Sequence, residues 1–189
     1  MHCGVASVRA VRWDRLFADL EAQLEADERI GFDADVADLV RAERAALALA
    51  DRLRAHQGAE LTWWLRGQEA LRGVLHDVGA DWVLVRDAPS DVVLPLRSVV
   101  CITGLSRAAS AERGVAARLG LGMVLRGLAR DRSAVTIHLE PAGAITGTID
   151  RVGADHLDLA VHALDEVRRP AAVNAVRCVP FAAVSRVVV

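Results

Sequence analysis

The chain contains an internal repeat that lines up when the sequence is shifted by 74 residues. The segment Leu61-Thr-Trp-Trp-Leu65 then lies over Val135-Thr-Ile-His-Leu139, and the segment from Arg72 to Asp81 lies over the segment from Thr146 to Asp155. The run from Val93 to Val99 matches the run from Cys178 to Val184 once an insertion of 11 residues between His162 and Arg177 is allowed. One constant offset over so many turn and core positions predicts two copies of one structural unit.

Each copy has the alternating pattern of short β-strands. Apolar residues recur at every second position in the first copy, at Leu61, Trp63 and Leu65, then Leu71, Gly73 and Leu75, then Val83 and Val85. This period of two predicts strands with one buried face. Gly67, Gly79 and the repeated Val-Gly-Ala-Asp sequence supply turns. Gly73 and Gly147 lie mid-strand in both copies, which predicts a sharp bend that curls each sheet into a barrel.

Helical stripes fill the rest of the chain. The apolar stripes consist of Trp13, Leu16, Phe17, Leu20 and Leu24; of Val36, Leu39, Val40, Ala46, Leu47, Ala50 and Leu53; and of Leu121, Val124, Leu125 and Leu128. The predicted fold class is therefore α+β, with N-terminal helices followed by two tandem five-stranded small β-barrels. We divide the chain into a helical segment (12–57), a first barrel (58–105), a connection (106–120), and a helix with the second barrel (121–189).

The order of helix, bent strands and a hydrophobic-Pro-hydrophobic run resembles the Sm-like fold, and a generic SH3-like or PRC-type barrel is the alternative. The resemblance covers residues 60–103 and 121–188, through Gly73 and Gly147 with an aspartate at each following corner, and through Leu94-Pro-Leu96 and Val179-Pro-Phe181. The whole chain also resembles an uncharacterised family of high-GC actinobacteria, on the segments from Trp13 to Gln23 and from Ala129 to Arg132. Membership of that family implies a cytoplasmic protein.

The Sm-like resemblance implies single-stranded RNA as a partner, bound by loop residues in a ring of subunits. Carried over by position, the RNA-contacting residues are Asp77 to Asp81 with Arg97, and Arg151 to Asp155 with Ala182. Neither copy has the Asn of the first loop or the Arg-Gly pair of the second. RNA binding is therefore the second hypothesis, with Arg97, Arg126, Arg130 and Arg132 as its candidate contacts.

Charge is unevenly distributed along the chain. The formal net charge is −2, yet ten acidic residues face only three arginines between Asp14 and Glu43, so the rest of the chain is mildly basic. A mildly basic body is a weak signal for nucleic acid. Three cysteines without paired spacing indicate reduced thiols. No signal peptide or apolar run of about 18 residues is recognised, so we expect a cytoplasmic protein.

Comparing the two copies position by position separates their outward faces. Trp64, Val74, Trp82 and Leu84 in the first copy stand where His138, Thr148, His156 and Asp158 stand in the second. Because the first three strands are adjacent, we expect the first set to form one apolar patch that something covers. The N-terminal helices are the expected cover, with the second barrel or another subunit as alternatives.

The second set, with His162 further along the same strand, is a candidate ligand face that could hold a metal or act as acid and base. A solvated polar sheet face explains it more simply. No catalytic order of residues, phosphate-binding glycine loop or Cys/His spacing occurs elsewhere. We therefore expect no catalytic residue, no metal and no cofactor, and predict a non-enzymatic binding or scaffolding protein that docks a protein partner or self-associates. RNA binding is the alternative.

Overall fold

The structure of the chain is a computed structural model that describes residues 23, 29, 32, 38–42, 45–67, 69–110, 114–141, 143–162 and 175–189. Its backbone divides into two compact units, Met1–Leu47 and Ala48–Val189. The described residues between 23 and 46 are helical. The predicted stripe from Trp13 to Leu20 lies outside the described residues, as does Leu24. The strands lie in the unit Ala48–Val189.

This unit consists of ten strands, two α-helices and three short 3-10 turns in the described residues. The strands are β1 (Glu60–Leu65), β2 (Leu71–Val78), β3 (Trp82–Asp87), β4 (Ser90–Pro95), β5 (Val99–Thr103), β6 (Ala134–Leu139), β7 (Gly143–Val152), β8 (His156–Val161), β9 (Ala175–Pro180) and β10 (Val184–Val188). The helices are α1 (Leu49–Arg54) and α2 (Leu121–Arg130), and the 3-10 turns are Leu96–Ser98, Ala116–Arg118 and Phe181–Ala183. Among the described residues, no helix is both long and apolar enough to cross a membrane.

All ten strands belong to one sheet with the order β5-β1-β2-β3-β4-β10-β6-β7-β8-β9. Every pairing is antiparallel. The first five strands and the last five repeat the same order, with the fifth strand beside the first. We call these two sets the first half (β1–β5) and the second half (β6–β10). The repeat seen in the sequence is therefore a repeat of strand order.

The prediction of two closed five-stranded barrels was wrong. Closure would require the fourth and fifth strands of the same half to pair, but β4 pairs with β10 of the other half. Val187 of β10 lies opposite Val93, and Val188 lies opposite Val92. Because the backbone groups on the outer side of β4 are satisfied by β10, the two halves join into one open sheet. The ends of that sheet are β5 and β9.

The mid-strand glycines lie at close approaches between strands. A Cβ on Gly73 would come within 2.6 Å of the Arg86 carbonyl oxygen, and one on Gly147 within 2.0 Å of the Ala160 carbonyl oxygen. Both strands also change register just after the glycine, between Leu75 and Asp77 in β2 and at the matching place in β7. Such bulges increase the local bend and twist of a strand.

The match between the two Pro-containing runs is also structural. β4 ends at Pro95 and β9 ends at Pro180, and a 3-10 turn follows each one. The backbone N–H of the first turn residue donates to the aspartate carbonyl of the Val-Gly-Ala-Asp corner, at 2.8 Å in the first half and 2.7 Å in the second. The β3–β4 connection has two residues and the β8–β9 connection has thirteen, so the insertion of 11 residues lies in the second connection.

Two hydrophobic cores lie along the sheet. The first contains Trp63 and Leu53 with the alternating residues of β1, β2 and β3, which confirms the predicted inward positions. The second contains Leu121 and Leu125 of α2 with the inward residues of β6 to β10. The stripe on α2 was predicted correctly. Of the predicted stripe from Val36 to Leu53, Leu53 lies in the first core, whereas Leu39 and Leu47 are exposed.

Candidate functional site

The four residues of the predicted apolar patch do not stay together on one surface. Trp82 is buried and Leu84 is partly buried, and both pack against the core of the second half. Trp64 is 50% exposed and Val74 is 38% exposed. Between them on the outer face, Arg72 forms an ion pair with Glu60, with 2.6 Å between Nη2 and Oε2. The single contiguous patch expected from the sequence is therefore interrupted.

Trp82 is covered by the segment that enters the second half. Its indole Nε1 donates a hydrogen bond of 2.7 Å to the Leu119 carbonyl oxygen, which satisfies the polar end of the buried ring. The ring lies on Gly79, where a Cβ would come within 2.1 Å of Nε1. Asp81 Oδ1 accepts a hydrogen bond of 2.7 Å from the backbone N–H of Leu121 at the start of α2. The second half thus covers one end of the predicted patch.

Trp64 lies beside the open end of the sheet. It is opposite Cys101 of β5, and Cys101 is exposed. Val100, at the register shift between β1 and β5, is 65% exposed. Neither Val100 nor Cys101 was singled out in the sequence, because only the first three strands were predicted to be neighbours. We call β5 together with Trp64 the β5 end of the sheet.

The β5 end carries no charged side chain. The strand reads Val99-Val-Cys-Ile-Thr103, and Trp64 is aromatic. On its inner face Ile102 lies opposite Trp63 and packs against the first core, so the strand is anchored on one face. Among the described residues, β5 has a strand neighbour on one side only. The backbone groups on its other side face away from the sheet, which makes it an edge that can accept another strand.

The opposite end of the sheet carries polar and charged side chains beside one exposed apolar residue, Val176 of β9, which is 60% exposed. His156 and Asp158 lie on the same face of β8, and Asp158 is opposite Cys178 of β9. Arg177 of β9 is exposed although it lies opposite the fully buried Leu159. We call these four residues, His156, Asp158, Arg177 and Cys178, the β9 end.

The electrostatic contacts at the β9 end join residues that are neighbours in the chain or on adjacent strands. His156 Nδ1 and Asp155 Oδ1 are 2.8 Å apart, and this hydrogen bond is the main reason that the pKa of Asp155 lies below its usual value. Partial desolvation and the neighbouring Asp158 carboxylate raise the pKa of the Cys178 thiol. A thiol with a raised pKa is mostly protonated at neutral pH and is a weak nucleophile.

The histidines of the predicted ligand face lie at separate places. His138 of β6 is opposite Arg186 of β10; partial burial and the Arg186 charge lower its pKa. His162 is buried, and its Nε2 is 2.8 Å from the Thr148 hydroxyl. His156 lies at the corner beside Asp155. Within the described part of the chain, no group of three or more His, Cys, Asp or Glu side chains is arranged to hold a metal ion.

Three of the four candidate arginines lie in α2 or just after it, and the fourth, Arg97, lies in the turn after β4. Arg97 is surface-exposed in the turn after β4, but partial burial of its guanidinium lowers its pKa while the Asp81 charge opposes that shift. Arg126 of α2 donates a hydrogen bond of 3.0 Å to the Gly153 carbonyl oxygen. Arg130 and Arg132 are exposed at the carboxyl end of α2.

A polar cleft of about 290 Å³ lies between α1, the end of β2 and the 3-10 turn before α2. Arg54, Gln57, Asp77 and Ser110 are among its lining residues. Arg54 Nη1 already pairs with Asp51 Oδ1 at 2.5 Å, and Asp77 Oδ1 accepts from the backbone N–H of Val78 at 2.8 Å. No pattern in the sequence predicts this cleft, because it depends on the packing of α1 against β2.

No protein-family model matches this chain, and no curated protein matches it.

Proposed function

We propose that this chain is a non-enzymatic protein-binding scaffold that engages its partner at the β5 end of the sheet. The observation that carries this proposal is the difference between the two ends. The β5 end presents an uncharged strand beside an exposed indole, whereas the β9 end presents charged and polar side chains. Natural sheets protect their edges with charges, and only one end here is protected in that way.

The backbone of β5 supplies the first part of the binding energy. An extended segment of a partner can pair with the open side of β5 through main-chain hydrogen bonds, in the mode known as strand addition. β10 of the second half corresponds to β5, and its Val187 corresponds to Ile102. Val187 pairs with Val93, so β10 already has β4 as a neighbour on the side that is open in β5.

Side chains supply the specificity. Trp64 and Val100 expose apolar surface next to the strand, and exposed indoles are enriched at the centres of protein interfaces. The partner segment is expected to be extended and uncharged, with an apolar side chain that covers Trp64. A second copy of this chain satisfies the same description through its own β5 strand, so self-association belongs to the same proposal.

Two exposed cysteines provide a matched test, because Cys101 lies at the β5 end and Cys178 lies at the β9 end. Two single-cysteine variants, each with the other cysteines changed to serine, are labelled with a benzophenone maleimide and irradiated in extract of the host cell. The label at Cys101 should cross-link a discrete partner, and Trp64→Ala should reduce that product several-fold. The label at Cys178 should not capture it.

A product of twice the chain mass would identify the partner as a second copy. Equal capture from both positions, or capture that is insensitive to Trp64→Ala, would contradict binding at the β5 end.

A further inference from the structure

The junction between the two halves shows what is needed to join two of these units. β4 and β10 pair through their backbones. The outward side chains Trp82, Leu84 and Val93 pack against the core of the second half, while Val188 packs against the core of the first. Side chains on both faces of the junction are therefore buried in one core or the other.

The repeat places the same two kinds of edge at the ends of the sheet. β5 is the counterpart of β10, and β9 is the counterpart of β4. In backbone terms, the β5 strand of one chain could pair with the β9 strand of another chain in the way that β10 pairs with β4. Repetition of such a head-to-tail contact would give a ring or an open filament.

The side chains at the β9 end differ from those at the internal junction. Trp82, Leu84, Val92 and Val93 of the first half correspond to His156, Asp158, Arg177 and Cys178 of the second. The cross-strand pairs are preserved, since Leu84 lies opposite Val93 and Asp158 lies opposite Cys178. At these four positions the apolar residues of the first half are thus replaced, and His156, Asp158 and Arg177 are side chains that can carry a charge.

Arg177 is the most informative replacement. Its counterpart Val92 is 2% exposed and contributes to the first core. Arg177 lies on the core-facing side of an edge strand, opposite the fully buried Leu159, yet it is exposed. A charged side chain on the core-facing side of an edge strand has to extend around the strand to reach solvent. An incoming strand would have to displace that side chain from solvent.

We propose that the β9 end is built to prevent a second copy of this chain from extending the sheet. An added copy would bury the Asp158 carboxylate and the Arg177 guanidinium in places where the internal junction buries Leu84 and Val92. Buried charges without matched partners are strongly unfavourable. A second copy is therefore not expected to add to β9, and this holds whether or not the β5 end binds a partner.

The test asks whether a variant of the β9 end self-associates. The variant His156→Trp/Asp158→Leu/Arg177→Val/Cys178→Val restores the residues of the internal junction at the β9 end. Its weight-average mass in sedimentation velocity should at least double as the concentration is raised. The wild-type mass should not show this increase. Adding Ile102→Pro, which disrupts the acceptor strand β5, should abolish the increase.

Each outcome decides the proposal. A variant that sediments as the wild type does, or an increase that survives Ile102→Pro, would overturn it, and so would cross-links between β5 and β9 of separate wild-type chains. If circular dichroism shows that the fourfold variant does not fold, Asp158→Leu/Arg177→Val replaces it, because neither residue is buried. The cross-linking result at Cys101 is independent of this experiment, so the two proposals can fail separately.

Discussion

Trp82 and His156 occupy the same position in the two halves of the sheet, and each ring lies on a glycine three residues earlier. A Cβ on Gly79 would meet the Trp82 ring, and a Cβ on Gly153 would come within 2.4 Å of the His156 ring. Trp82 is nevertheless only 5% exposed, whereas the side chain of His156 is 42% exposed. The local backbone is shared, and the difference comes from the second half, which covers only Trp82.

This difference predicts unequal effects on stability. Trp82→Ala removes a buried indole and should lower the free energy of unfolding by about 3 kcal/mol or more. His156→Ala removes an exposed ring and should change it by roughly 0.5 kcal/mol. Trp64→Ala should be much closer to His156→Ala, because Trp64 is half exposed. Urea denaturation of the three variants measures the order, and equal midpoints for Trp82→Ala and His156→Ala would contradict the burial described here.

Close strand approach predicts that replacing Gly147 lowers the free energy of unfolding. A Cβ at this position would lie 2.0 Å from the Ala160 carbonyl oxygen, and that backbone atom cannot move aside cheaply. Gly147→Ala should therefore destabilise the chain by about 1–3 kcal/mol. Gly127→Ala is the matched control, since Gly127 is within α2 and has no atom within 4 Å of the added Cβ. That variant should gain about 0.5–1 kcal/mol from helix propensity. Thermal unfolding should move in opposite directions for the two variants.

The Asp158–Cys178 pair predicts a pH dependence of thiol reactivity. Partial desolvation and Asp158 raise the pKa of Cys178, so the thiolate forms at higher pH than in an unperturbed thiol. The rate of alkylation of Cys178 by iodoacetamide should therefore rise with pH, with its inflection at a higher pH than that of a small model thiol. Asp158→Asn removes a negative charge and should move the inflection to lower pH. An inflection that does not respond to Asp158→Asn would rule out this carboxylate as a cause.

The positions of the arginines predict weak, electrostatic binding of single-stranded RNA. Arg130→Ala/Arg132→Ala should reduce the affinity of a labelled oligonucleotide more than Arg97→Ala, because the guanidinium of Arg97 is partly buried and lies near Asp81. The logarithm of the affinity should fall with the logarithm of salt concentration by about 0.7 per neutralised phosphate, for only a few phosphates. Tight, sequence-dependent binding that persists in salt and disappears in Arg97→Ala would instead support RNA binding at the position that the Sm-like resemblance implies.

Much of the local structure could be read from the sequence. The constant offset identified the two halves, and alternation identified the inward residues of β1 to β3. Gly73 and Gly147 lie where neighbouring strands approach closely. The insertion between His162 and Arg177 also fell in a connection between strands. These features are readable because period, turn chemistry and close approach each require particular residue types at particular positions.

The junction between the halves had a weaker signal that was present but missed. Val92-Val-Leu-Pro95 lacks alternation, and all four residues are buried. An uninterrupted apolar strand indicates burial on both faces, as in the interior of a large sheet, rather than a barrel with one wet face. Its counterpart in β9 contains Arg177 and does not have this pattern. The comparison of outward faces indicated that Trp82 and Leu84 need a cover, but it favoured the N-terminal helices, whereas the core of the second half covers these two residues.

The adjacency of β1, β2 and β3 was predicted from the sequence, whereas the choice of β10 as the partner of β4 was decided only by the tertiary structure. Main-chain hydrogen bonds between edge strands involve the same N–H and C=O groups in every residue except proline, so they leave no pattern that names the neighbouring strand. Packing across the junction then selects the partner, because Trp82, Leu84 and Val93 are buried only when the core of the second half lies against them.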